Sequence, residues 1–236
     1  MRVDLIGTGS IYTKYNSAST LVNQELLIDI PNGCHKQLLK MGYEIEKVKA
    51  VAITHFHGDH FADLPFLVRH RFALKLLEPL IIIAPKGAKE QIKRLFDVYN
   101  SNDFDWKPTI NIIEIENSGE EIEILDKYHI KPIEVAHGDL KPAYGYIINN
   151  TLGLTGDSGI CDAIREIRDN SEIMIADTSF RTGKEMHMGI DDIKELLSNS
   201  NKKIIATHLR DTTREALKNE KITNLIVPED GYSFEI

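Results

Sequence analysis

Cysteine is scarce in this 236-residue chain: Cys34 and Cys161 are the only two. That rules out a disulfide framework and a thiolate-rich zinc site. An excess of positive charge is also missing. Lys and Arg number 28 against 36 Asp and Glu, a formal charge of −8, which argues against a broad basic surface for nucleic-acid phosphates. No apolar run reaches the ~20 residues of a membrane span. The densest stretch, 61–77, is interrupted by Asp63, Pro65, Arg69, His70, Arg71 and Lys75. Residues 1–7 contain an acid, Asp4, and no long apolar segment, unlike a secretory signal. A cytoplasmic protein with no membrane partner is therefore expected. Low-complexity tracts, Gly/Ser/Pro linkers and internal repeats are absent as well.

What remains is ordinary for a folded protein, with 42% hydrophobic residues and enough length to bury a sizeable core. Short apolar runs at 3–6, 20–22, 26–30 and 48–54 read as strands. Helical patterns follow at 35–41, stopped by Gly42, and at about 60–77 and 89–99, with a buried strand at 80–84 between the last two. Strands then dominate from 110 to 155, with Glu114, Glu116, Glu120, Glu121 and Glu123 marking one solvated face. From 160 the alternation returns, with strands at 172–176, 203–207 and 222–227 and helices at 160–168, 190–198 and 213–218. Two similar halves of strands with helices packed outside predict an α/β fold, a layered sandwich forming one domain over residues 1–236.

The unusual abundance is histidine, nine in all. The segment Thr54-His55-Phe56-His57-Gly58-Asp59-His60 follows an apolar strand, and four of its seven residues are competent metal ligands. In extended chain, positions i and i+2 point to one side, so His55 and His57 can converge on one ion. Gly58 lets the chain turn, and Asp59 and His60 can then face a second. Imidazole with carboxylate suits zinc, manganese or iron. Two catalytic sites need further ligands, and His137, Asp157 and His208 each stand at the end of another strand. With two oxygens, Asp157 can bridge both ions.

The ordered set His55-x-His57-x-Asp59-His60, His137, Asp157 and His208 resembles the metallo-β-lactamase superfamily. Leu5-Ile-Gly-Thr-Gly9, Ser19-Thr-Leu-Val22, Leu27-Ile-Asp29 and Gly33-x-x-x-Gln37-Leu38-Leu39 resemble its phosphodiesterase branch, which holds tRNA-processing RNase Z and a phosphoribosyl cyclic phosphodiesterase. The resemblance implies a four-layer αββα sandwich carrying two divalent ions, zinc or manganese, with iron also admissible. It implies His55, His57 and His137 on the first ion, Asp59, His60 and His208 on the second, and Asp157 between them. A hydroxide bridging the ions would attack phosphorus, oriented by Asp59. His187 matches a histidine that such relatives place at the scissile phosphate, and Asp177, in Ala176-Asp177-Thr178-Ser179-Phe180, matches an acid that orients it. Relatives of this branch often dimerise, so a homodimer is also implied.

This chain departs from RNase Z in one respect. Only 20 residues separate His137 from Asp157, which leaves no room there for a long tRNA-gripping arm. With the acidic charge, this disfavours tRNA and favours a small or cyclic phosphodiester substrate. Two distant cysteines also cannot reproduce the structural zinc site of the phosphoribosyl cyclic phosphodiesterase. Alternative functions are an RNase Z-type endonuclease without the arm, a thioesterase or lactonase on the same metals, and a non-enzymatic metal sensor. The other histidines, His35, His70 and His129, fall within predicted helices and a strand and read as packed or surface residues. Cys34 reads as a small buried residue. Trp106, in the loop 102–108, reads equally as a cleft wall or a loop anchor.

Overall fold

The computed structural model of the protein describes residues 1–99, 105–198 and 200–236. The chain divides into two compact units, the first made of Met1–Gly7, Asn16–Ile115 and Asp230–Glu235, the second of Thr8–Tyr15 and Glu116–Glu229 with Ile236. Residues 102–104 of the Trp106 loop lie outside the described residues.

The first unit is built on a seven-stranded sheet. Strands β1 (Arg2–Gly7), β2 (Ser19–Val22) and β3 (Leu26–Ile28) pair antiparallel, and β4 (Ala50–Ala52), β5 (Leu80–Pro85) and β6 (Ile110–Ile115) continue from β3 in parallel. The C-terminal strand Ser233–Glu235, which carries little sequence signal, closes the other edge beside β1. Helices α1 (Cys34–Lys40), α2 (Gly58–Phe61), α3 (Leu64–Ala73) and α4 (Ala88–Val98) accompany it. On α4 the buried positions Ala88, Ile92 and Phe96 recur every four residues, the period of one helix face. Trp106 is 7% exposed and stacks on Phe96 at 4.3 Å. It anchors its loop to the core.

The single helix expected over 60–77 is in fact two, and the second ends at Ala73. Pro65 has no N–H to continue a helical ladder and sits in the first turn of α3, where none is needed. Asp63, between the two, donates its N–H to Ile30 O and accepts the His35 N–H on Oδ2 at 3.0 Å. A break in one helix thus supplies the N-terminal cap that α1 lacks locally. The expected strand 48–54 also shortens. Ile53 still bonds Ile83 O, but the Thr54 N–H turns to the Asp29 carboxylate.

The second unit repeats the plan. Strands β7 (Ile122–Ile124), β8 (Tyr128–Glu134), β9 (Tyr144–Ile148) and β10 (Leu152–Leu154) pair antiparallel, and β11 (Ile173–Asp177), β12 (Lys203–Thr207) and β13 (Leu225–Ile226) follow in parallel. Helices α5 (Asp162–Asp169), α6 (Ile190–Ser198) and α7 (Asp211–Lys218) complete it. α5 buries Ile164 and Ile167, each contributing about 1.5–3 kcal/mol. It packs so close to the sheet that a Cβ on Gly145 would stand 2.5 Å from Ile167 Cδ1. No helix among the described residues is long and apolar enough to cross a membrane.

The histidines outside the ligand set behave as packing and surface groups. His129 is exposed and meets Glu121 at 3.1 Å. His35 Nε2 lies 2.9 Å from His70 Nδ1, a bond that needs one ring neutral. Burial, with the neighbouring His70 and Lys36 charges, lowers the His35 pKa to about 4. Its folded value is depressed, so the stability it contributes is present above the unfolded value of about 6.5 and lost as pH falls towards 4. His35→Gln should therefore lose less stability than the wild type between pH 7 and pH 4.5, read as the shift in urea midpoint. Identical pH dependence in the two proteins would contradict this.

Candidate metal centre and its supporting residues

In the first unit the candidate ligands follow β4. Asp29, one residue beyond β3, is 4% exposed and adopts a left-handed backbone with φ 58°, a conformation that costs a non-glycine residue about 1–2 kcal/mol. Three bonds hold it there. Its carboxylate accepts the Thr54 N–H and hydroxyl at 2.8 Å each, and His60 Nδ1 at 2.7 Å. Burial pushes the Asp29 carboxyl pKa up, against the opposing pull of His60 and Thr54.

This network fixes two tautomers. Since the Thr54 hydroxyl donates to Asp29, it accepts from His55 Nδ1–H at 3.0 Å, and Nε2 of His55 keeps its lone pair. His60 donates through Nδ1–H, so its Nε2 is the basic nitrogen, 3.8 Å from Asp59 Oδ2. His55 Nε2 and His57 Nδ1 lie 3.0 Å apart. Two imidazole nitrogens on one tetrahedral zinc stand about 3.3 Å apart, given bonds of about 2.0–2.1 Å.

In the second unit the same device recurs. His137, just past β8, donates Nδ1–H to Met186 O at 2.9 Å, leaving Nε2 basic. Asp177, at the end of β11 and fully buried, accepts the Ser158 N–H at 3.2 Å, the Ser179 N–H at 3.1 Å and the Ser179 hydroxyl at 2.7 Å. Ser179 Oγ in turn accepts from His208 Nδ1–H at 2.8 Å. His208 Nε2 is then the basic nitrogen, 3.3 Å from Asp157 Oδ2. His208 has φ 54°, a second left-handed non-glycine residue at a strand end.

Asp177 Oδ2 also takes His187 Nδ1–H at 2.8 Å. The His187 ring stacks on His208 at 5.2 Å with 10° between planes, and meets His137 edge-on at 5.1 Å. Burial disfavours its charged form, but the bond to Asp177 and the charges of Asp177 and Asp157 outweigh this and raise its pKa. Asp157, Asp177, His187 and His208 bring donor atoms within 4.8 Å of one another.

Within the first unit the structure therefore gathers His55, His57, Asp59 and His60, and within the second His137, Asp157, Asp177, His187 and His208. The donor chemistry fits divalent cations. Four of the five candidate ligand histidines, His55, His60, His137 and His208, each have one nitrogen held by an oxygen acceptor and the other left basic, the arrangement that orients metal-ligating imidazoles. Sequence reasoning gave no role to Asp29, Thr54 or Ser179. Asp29 could have been found, as an acid ending an apolar strand. Ser179 had no signal, because it acts by relaying a hydroxyl between two residues distant in sequence. Cys34 is buried and burial pushes its thiol up to about 12, so it is an inert packing residue.

Comparison with known proteins places this geometry in a lineage. The family described as anti-Pycsar protein Apyc1 matches residues 1–232. Ribonuclease Z of Pyrococcus abyssi is 34% identical over 152 residues, covering 62% of this chain and 47% of the relative. Ribonuclease Z of Methanosarcina acetivorans is 22% identical over 302 aligned positions, covering 100% of this chain and 98% of the relative. The chain thus spans about half the length of the first of these curated relatives. Among solved structures, a diphosphatase of the PhnP family superposes with a TM-score of 0.81 at 18% identity, covering 100% of this chain and 97% of its own. The short form of human tRNase Z gives 0.75 at 18% identity, covering 100% and 99%. The metallo-β-lactamase fold expected from the sequence is borne out by these neighbours.

Asp29 is the most heavily committed of the unassigned residues. Asp29→Ala strands three buried donors and should cost about 3 kcal/mol, read from urea unfolding. Asp29→Asn keeps an oxygen and a side chain tolerant of positive φ, and should cost less. A loss below about 1 kcal/mol in the alanine variant would refute this account of the network.

Proposed function

The chain belongs to the anti-Pycsar protein Apyc1 family, in the RNase Z-like branch of the metallo-β-lactamase superfamily, and from this we propose that it is a dinuclear metal-dependent phosphodiesterase acting on a small or cyclic phosphodiester. In this reading residues 1–236 work as one hydrolase domain. His55, His57 and His137 hold one divalent ion, Asp59, His60 and His208 the other, and Asp157 serves both. Zinc or manganese suits this nitrogen and oxygen set. When bound, two such ions lower the pKa of a shared water and offset phosphoryl charge.

The observation that carries the reading is the His187–Asp177 pair, an imidazole fixed by a buried carboxylate beside His208 and Asp157 yet outside the ligand set. With Nδ1–H committed to Asp177, its Nε2 edge faces away from the carboxylate. The raised pKa favours the imidazolium, which can steady charge on phosphorus-bound oxygen or protonate the departing one. Asp59 orients the attacking water. A thioester expels a thiolate, which has less need of such an acid, and the pair counts against that substrate.

A second reading, tRNA processing, draws support from the ribonuclease Z relatives. The 20-residue spacing of His137 and Asp157 and the charge of −8 weigh against it. A homodimer also belongs to the proposal, with Phe66 and Phe72 of α3 and the neighbouring Leu77 as exposed apolar surface for a second copy.

The deciding experiment is a metal-titrated assay of bis-p-nitrophenyl phosphate, cyclic nucleotides, a cyclic ribose phosphate and precursor tRNA. Turnover of small diesters without tRNA cleavage is expected, and no phosphodiester turnover with two metals bound would overturn the reading. Asp59→Ala and His60→Ala should each abolish turnover and lower metal content. His187→Ala should keep both metals and lose about 100-fold or more on diesters with alkyl leaving groups, and Asp177→Asn should follow it in direction. Full activity of His187→Ala on such a diester would remove that residue from the chemistry.

A further inference from the structure

Two arginines flank the start of α7, and their surroundings differ sharply. Arg214 is buried and bonded to protein acceptors. It donates to Pro228 O and Thr8 Oγ1, with Tyr15 against its guanidinium at 3.9 Å. Arg210 lies against two aromatic rings. Its Cζ lies 4.9 Å from the Tyr12 ring centroid and 5.0 Å from that of Phe180. Among the described residues its five N–H donors meet no carboxylate and no other acceptor. In a chain of net charge −8, a cation held against two rings with no carboxylate beside it can receive an oxyanion.

A cavity of about 290 Å³ opens beside it, lined by Ser10, Tyr12, Phe180, His187 and Arg210 among others. That is roughly ten times the volume of one liquid water. Ser10 is 3% exposed, yet among the described residues its hydroxyl has no hydrogen-bond partner. Its backbone is fixed by the bond from its N–H to Leu209 O at 3.2 Å and by the bridge pairing Gly9 with Leu209. A buried hydroxyl lacking a partner costs about 1–3 kcal/mol, a cost that a ligand oxygen in the cavity would relieve.

We propose that Arg210 and Ser10 form a phosphate-oxygen subsite that positions the phosphoryl group of the substrate against His187. This rests on the phosphodiesterase reading above and adds to it a recognition element outside the metal-ligand set. The planar fork of Arg210 suits two non-bridging oxygens. Ser10 supplies a further donor from the opposite chain segment. The subsite selects for anionic phosphoesters, because a neutral ester leaves the guanidinium uncompensated.

The test uses the metal-loaded full chain with Arg210→Gln, Arg210→Lys and Ser10→Ala, each checked for an unshifted thermal melt. Two measurements are made: KM and kcat on bis-p-nitrophenyl phosphate, and the Kd of inorganic phosphate by calorimetry. Arg210→Gln should raise KM and weaken phosphate about tenfold or more, the scale of one charge-assisted hydrogen bond, with a smaller effect on kcat. Arg210→Lys should recover part of the phosphate affinity and Ser10→Ala should lose a smaller part. If the unaltered protein turns over no phosphodiester, the proposed function fails, and the phosphate titration alone decides the subsite. Phosphate affinity within twofold of wild type in Arg210→Gln overturns it, whatever the activity.

Discussion

Two buried carboxylates, Asp29 and Asp177, carry the mechanical burden of the candidate centre. Each stands at or just beyond the end of a strand, where the backbone ladder no longer supplies partners, and each collects hydrogen bonds from residues that would otherwise be loose. Asp29 ties Thr54 and His60 to the end of β3, and through the Thr54 hydroxyl also reaches His55. Asp177 ties His187 directly and His208 through Ser179. A buried carboxylate is stable only when its oxygens are satisfied. The same bonds that stabilise it therefore also choose which nitrogen of each imidazole stays basic.

The cost of this arrangement appears in the backbone. Asp29 and His208 both sit at positive φ, unfavourable for residues with a side chain, and both are held by several bonds at once. Strain of this kind persists where surrounding contacts over-determine it. Each parallel strand can then stop abruptly and turn its next residue back towards the strand end, where open α/β sheets characteristically present their chemistry. The two units use one plan, an antiparallel half followed by a parallel half, and both place candidate ligands at such ends.

Charge and shape narrow the chemistry further. The chain is acidic overall, and several of its arginines and lysines are engaged by neighbouring acids, as in Arg165 with Glu195 or Lys93 with Asp97. Arg210 departs from that pattern, held by rings in place of a carboxylate. It lines one cavity with His187 within a single unit.

The candidate ligand residues stand out in the sequence because the first four cluster. His55 to His60 occupy six consecutive positions, and alternation along an extended segment already says which two share a side. Strand–helix order was legible from apolar periodicity. What the sequence overstated was continuity: the segment 60–77 is apolar enough for one helix, but Pro65 and the cap that Asp63 gives to α1 divide it. What it could not give were the residues that act on others across long separations. Asp29 lies 31 positions from His60 and Ser179 lies 29 from His208, and no local period encodes such pairs. Residue identity and spacing alone say which side chains are able to bind a cation. Which nitrogen His55, His60, His137 and His208 present, and that Arg210 meets two rings in place of an acid, came from the assembled fold, because these depend on partners that meet only when the strands are paired.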